Sequence, residues 1–169
     1  MSHDDTTAPG TAAAQASGAR PAPDWLVEDG LAPVVDDTPP GPFYRAAARG
    51  ELALPFCAAC RLPLEPEQRL CDGCGADDIL WETVAPRGTV HSATLVHRLE
   101  PGLVRTRAPY PVLDIELLSG HRLIMTTLAP ATAPPAVGEP VTIGFRTVGG
   151  VHLPAAVPAA ADSETEDRT

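Results

Sequence analysis

The chain of 169 residues contains no lysine, and all twelve of its basic residues are arginine. With the heavy use of alanine this is a compositional bias and carries no functional reading. Aromatic residues make up only 4%, too few for the stacking platforms that single-stranded nucleic-acid binding needs. No apolar run approaches the ~20 residues of a membrane-spanning helix. Met1-Ser2-His3-Asp4-Asp5 is acidic where a signal peptide is basic, and no apolar stretch follows it. No glycine-rich loop opens a helix, which removes the usual phosphate cradle. All of this points to the cytoplasm.

A basic excess is lacking too. The net charge is −10, but residues 1–40 carry seven acids and one arginine, and residues 161–169 four acids and one arginine. The stretch between them is close to neutral, without the basic footprint of a nucleic-acid binder.

What is present is one stretch of eighteen residues holding all four cysteines, from Cys57-Ala58-Ala59-Cys60 to Cys71-Asp72-Gly73-Cys74. Each Cys-x-x-Cys can fold as a knuckle, with Gly73 and Gly75 supplying backbone freedom to the second. Four thiolates meeting at a point suit one structural Zn2+ per chain and leave no open position for catalysis. Iron in the same cage and disulfides are the alternatives. A thioredoxin-type motif needs one such pair in a βαβ setting, which two matched pairs do not fit.

Taken in order, residues 1–22 read as disordered. Asp24-Trp25-Leu26-Val27 then interrupts them as an apolar cluster that either docks a partner or folds back on its own domain. After Pro39-Pro40-Gly41-Pro42, residues 43–49 predict a short helix ending at Gly50. Leu52, Leu54 and Phe56 alternate as a strand with one buried face. Residues 62–70 predict a return strand and residues 79–84 a closing strand, with Trp81 covering the ribbon or its junction.

From Gly88 on the pattern is β after β. The expected strands cover residues 89–98, 110–118, 122–128, 141–145 and 151–157, with a longer connection at 129–140. On the first, Val90 and Val96 lie on one face and Ala93 and Leu95 on the other, as in a bent barrel strand. Leu113, Ile115 and Leu117 face inward, opposed by Asp114 and Glu116. The layout is that of an OB barrel, though other small barrels share the strand count. The expected fold is mainly β. A short N-terminal helix and a rubredoxin-like zinc ribbon (41–85) precede a five-stranded OB-fold barrel (86–158), with disordered acidic tails at 1–40 and 159–169.

Phe43-Tyr44, Arg49-Gly50-Glu51-Leu52, both knuckles, Trp81-Glu82, Gly88-Thr89-Val90-His91-Ser92, Val96-His97-Arg98, Pro109-Tyr110 and Val137-Gly138-Glu139-Pro140-Val141 carry a resemblance. Over residues 42–157 the chain resembles the acyl-CoA-associated zinc-ribbon and OB-fold family long catalogued as domain of unknown function 35. It departs from that family at Asp72, where proline is frequent, and at Arg61, where glycine is usual. The resemblance implies a non-catalytic accessory subunit of a thiolase-like enzyme. Such a subunit helps form an acyl-CoA site for condensation, acyl transfer or retro-aldol cleavage. Some members are fused to a hot-dog hydratase domain, which these 169 residues lack. The alternatives are a stand-alone acyl-CoA carrier and a single-strand nucleic-acid module.

No catalytic constellation emerges from the residues. His91, His97, His121 and His152 lie in no motif that supplies partners. His91 and His97 would share one side of a regular strand, but partly exposed strand histidines are ordinary. Arg98, Arg105 and Arg107 cluster in and beside the first barrel loop. They could grip coenzyme A phosphates, meet acids on a partner, or simply be solvated. Phe43 and Tyr44 could line an acyl channel or serve packing.

Overall fold

The computed structural model describes residues 23–98 and 100–158, so the expectations for residues 1–22 and 159–169 lie outside the described residues. Helix α1 (Gly41–Ala47) starts inside the proline cluster. Pro42 occupies the first turn, where its missing N–H breaks no bond and its ring presets φ. Phe43, Ala46 and Ala47 recur at helical spacing and are buried. The helix ends after seven residues. Gly50 (φ 75°) takes the left-handed conformation, and the Glu51 N–H returns to the Ala46 carbonyl at 3.1 Å.

Strands β1 (Ala53–Cys57) and β2 (Ile79–Thr83) pair antiparallel, with Cys57 opposite Ile79. Alternation predicted one buried face for β1, but both are covered. Leu52 and Leu54 enter the barrel core, and Ala53, Pro55 and Cys57 are buried as well. The strand runs between two bodies, which the pattern of a five-residue stretch cannot announce. The return strand expected over residues 62–70 does not form. Pro63 makes only an isolated bridge to Phe56, and the Leu64 N–H reaches the Pro55 carbonyl at 3.0 Å. Pro63 and Pro66 lack the N–H groups that a longer ladder needs. Gln68 ties the loop instead, accepting from the Glu65 N–H (3.1 Å) and donating to the Leu70 carbonyl (2.7 Å).

The remaining strands are β3 (Arg87–Val96), β4 (Tyr110–Leu117), β5 (Arg122–Met125), β6 (Pro140–Val148) and β7 (Val151–Pro158). They form one sheet in the order β5-β4-β3-β6-β7. A parallel bridge between Thr127 and Ala156 brings its ends together, with the Leu128 N–H on the Ala156 carbonyl at 2.9 Å. The sheet is a nearly closed five-stranded barrel with OB connectivity. Leu54, Leu113 and Ile115 are wholly buried at its centre, joined by Val90, Leu123 and Ile143, while Phe43 and Leu52 enter from the helix side.

The mixed faces expected of the first barrel strand resolve into a β-bulge between Val90 and Ser92. Val90 lies opposite Ile115, whereas Ala93 lies opposite Leu113 and Leu95 opposite Pro111. One inserted residue thus moves Ala93 and Leu95 onto the same inner face as Val90. It also removes the shared side expected for His91 and His97, since the bulge separates their registers.

Residues 24–40 do not trail away from the body. Leu26 is buried, Val27 bridges Val104, and the Trp25 Nε1–H donates to the Thr127 carbonyl at 3.3 Å. The fold-back reading of this cluster is the one the structure shows.

Candidate metal centre and functional surfaces

The two knuckles are built alike. In the first, the Arg61 N–H bonds to the Cys57 carbonyl (2.9 Å) and the Cys57 N–H to the Leu62 carbonyl (3.0 Å). The second repeats this with Gly75 on Cys71 (2.7 Å) and Cys71 on Ala76 (2.8 Å). The fifth residue of each turn is left-handed, Arg61 at φ 65° and Gly75 at φ 75°. Gly73 serves differently. A Cβ there would meet Leu62 Cδ2 at 3.3 Å and the Cys71 sulfur at 3.7 Å, so its role is close approach and not a special φ.

The four sulfurs lie within 4.8 Å of one another, with Cys57–Cys74 and Cys60–Cys71 both at 3.5 Å. A tetrahedral ion with metal–sulfur bonds of about 2.3 Å needs sulfur–sulfur edges of about 3.8 Å. The donor set therefore fits such an ion. Cys57 and Cys71 are buried, while Cys60 and Cys74 are exposed.

The thiols divide electrostatically. The Cys60 backbone N–H leads the groups that hold Cys57 down at about 6. Cys60 is helped by the Leu62 N–H, yet its sulfur neighbours, Cys71 foremost, push it up to about 12. Cys74 is also raised, the Ala76 N–H being outweighed by Cys57 among others. One thiolate is thus easily held, and further ones repel it until a cation enters.

Arg61 stands where a glycine would be unstrained. Its guanidinium makes two 2.8 Å hydrogen bonds to the Glu82 carboxylate and lies 5.0 Å from the Phe56 ring centre. Left-handed backbone costs a residue with a Cβ about 1–2 kcal/mol, and a solvent-screened exposed ion pair returns little of it. Arg61→Ala keeps the strain and loses the contacts, whereas Arg61→Gly loses both. The glycine variant should therefore melt above the alanine variant. Equal melting temperatures would show that the turn is not strained.

Among His91, His97, His121 and His152, His121 is the one whose surroundings are built. It is 4% exposed. Its Nε2 lies 2.9 Å from the Pro55 carbonyl, Nδ1 lies 2.9 Å from Ser119 Oγ, and its ring meets Phe56 edge-on at 4.7 Å. A carbonyl only accepts, so Nε2 carries the proton and Nδ1 accepts from the hydroxyl. The side chain pins the β4–β5 turn to β1, a role that no sequence motif marks. Burial lowers its pKa, against the opposing pull of the Pro55 carbonyl and the Glu65 charge. Between that lowered folded value and the unfolded value near 6.5, the unfolded chain binds more protons. The contribution of His121 is therefore complete above about pH 6.5 and declines as pH falls through that window. Denaturant midpoints of wild type should fall relative to His121→Gln on acidification from pH 7.5 to 5; parallel pH curves would contradict this.

The other candidates are dispersed. His91 lies 3.5 Å from Glu116 with both side chains exposed, and Asp114 is paired with Arg122. Arg98 is exposed and paired with Glu100. Arg105 is held by Glu28 (3.0 Å), Asp29 (3.3 Å) and the Val27 carbonyl (3.1 Å). Arg107 is exposed. Tyr44 packs edge-on against buried Phe43 at 5.2 Å, and its hydroxyl pKa is raised by burial and by Glu67. A groove of ≈ 420 Å³ runs past Pro40, Phe43, Tyr44 and Pro66. A second, of ≈ 480 Å³, shares Pro66 and reaches Leu70, Ile79 and Trp81. No hydrogen bond or ion pair among the described residues joins Phe43 or Tyr44 to the three loop arginines. No helix among the described residues is long and apolar enough to cross a membrane.

Residues 81–146 match the family model described as ChsH2, C-terminal OB-fold domain. A relative from Thermomonospora curvata, described as a probable enoyl-CoA hydratase alpha subunit, is 31% identical over 105 residues, or 61% of this chain. The match spans about a third (32%) of that relative's length. A solved structure described as Ltp2-ChsH2(DUF35) aldolase is similar with a TM-score of 0.64 and 27% identity, covering 76% of this chain and 100% of that one. Residues 81–146 thus carry the ChsH2-type C-terminal OB-fold domain, and the barrel connectivity and cysteine cage agree with the resemblance to the zinc-ribbon and OB-fold family known as domain of unknown function 35.

Proposed function

We propose that this chain is a non-catalytic accessory subunit that binds a thiolase-like enzyme and helps form its acyl-CoA site. The observation that carries this reading is its likeness, across the whole of the matched chain, to a subunit of an aldolase assembly. Cys57, Cys60, Cys71 and Cys74 hold one structural zinc ion, which closes the ribbon and keeps β1 in place between ribbon and barrel. Bound zinc supplies charge neutralisation and cross-linking; the sulfurs fill its coordination, so it activates no water.

In this reading the acyl chain runs in the groove past Phe43 and Tyr44, whose rings give it an apolar wall. Arg107, with Arg98 beside the same loop, meets phosphates or partner carboxylates. Arg105 shapes that loop by holding it to the N-terminal segment. The setting is cytoplasmic.

The test is a tagged pull-down from the native host with metal analysis of the recovered protein. A thiolase-like enzyme in near-equal amount, with one zinc per chain, supports the proposal. Zinc-loaded protein recovered alone favours a free acyl-CoA carrier, and co-purifying nucleic acid would overturn both.

A further inference from the structure

We propose that the cleft of this OB barrel is a peptide-binding groove, occupied in cis by the acidic and aromatic segment 24–29 of the same chain. In OB folds the loops after the first and fourth strands flank the ligand face. Here these are the connection 97–109 and the tight turn at Gly149-Gly150. The N-terminal segment sits on both.

Its attachment has the features of peptide recognition. Backbone pairing comes from the Arg105 N–H on the Leu26 carbonyl (2.8 Å) and the Glu28 N–H on the Leu103 carbonyl (3.2 Å), so the segment adds a short antiparallel strand. Anchors come from buried Leu26 and from Trp25 on the Thr127 carbonyl. Charge complementarity comes from Asp24 on Arg146 (2.6 Å) and from Glu28 and Asp29 on Arg105. Asp24 also accepts from the Leu26 and Val27 N–H groups (3.0 and 2.7 Å), which fixes the bend that presents the peptide. At the far loop, a Cβ on Gly149 would come 2.4 Å from the Asp29 carbonyl oxygen, so that turn is shaped to the passing chain. The occupant excludes a nucleic-acid strand from the same face and takes Arg105 out of any anion grip.

The experiment keeps the chain whole until it has folded. A protease site inserted between Asp36 and Asp37, both exposed, cuts the arm from the body, with cleavage confirmed by mass. The arm fragment should stay with the body through gel filtration and exchange for a labelled peptide of residues 23–33. The same peptide with Asp24→Ala should bind at least tenfold more weakly, and oligothymidylate should not bind the uncut chain. Loss of the arm on cutting without rebinding of the peptide would overturn the proposal. So would exchange indifferent to Asp24, unfolding of the body once the arm leaves, or an arm that never exchanges even in mild urea. The last two would make the segment an integral part of the fold.

Discussion

Replacement of Cys57 by serine is expected to yield a chain without metal and with an unfolded ribbon on a surviving barrel. The ribbon has little else to hold it. Its core consists of Cys57, Leu64 and Cys71, with Ala76 and Ile79 packed against them. Isolated zinc modules draw about 10–16 kcal/mol of apparent binding energy from their metal and are unfolded without it, and so few buried side chains cannot substitute. The barrel core, by contrast, rests on Val90, Leu113, Ile115, Leu123 and Ile143, which form a cluster separate from that of the ribbon cysteines. Metal analysis and limited trypsin digestion separate the two bodies, because Arg61 and Arg69 lie in the ribbon. The variant should carry almost no zinc and be cut at both arginines while the barrel fragment persists. Cys60→Ser and Cys74→Ser should follow with weaker effects on the barrel, since Cys57 alone of the four lies in β1, whose Leu54 reaches the barrel core. A Cys57 variant that retained its metal and melting temperature would refute the structural role.

The four-cysteine cage was legible because its information is local. Two Cys-x-x-Cys turns at a fixed spacing place four sulfurs whatever the rest of the chain does. The barrel strands were legible for a related reason, since Leu113, Ile115 and Leu117 alternate with Asp114 and Glu116 across a sheet wet on one side. The expectation failed where pairing depended on distant chain. Residues 62–70 looked like a strand by composition, but two prolines and a side-chain-tied loop left one bridge. The bulge beside His91 is invisible in a sequence that still alternates on either side of it. No local motif marks His121 or Arg146. Their partners, Pro55 and Asp24, lie 66 and 122 residues away, and no local pattern carries such a contact.

That long-range contact is expected to give the largest effect outside the metal centre. Asp24 is 1% exposed in its side chain and Arg146 13%, joined at 2.6 Å. Removing one member of a buried pair leaves the other charge without compensation, which costs about 3–5 kcal/mol. Asp24→Ala should fall in that range, with the lost acceptor for the Leu26 and Val27 N–H groups adding to it. The pair itself is less valuable than this suggests. Asp24 Oδ2 and Arg146 Nε are both buried without a hydrogen-bond partner, so part of the desolvation is not recovered. Asp24→Asn keeps an acceptor for both backbone groups, and Arg146→Met keeps the volume of the stem without the charge. The double variant Asp24→Asn/Arg146→Met should therefore lie within about 1–2 kcal/mol of wild type, well above either charge-orphaning single variant. Denaturant unfolding of the four chains measures the coupling directly. Additive losses would show that the two residues stabilise the arm independently and that the charge pair does not hold it to β6.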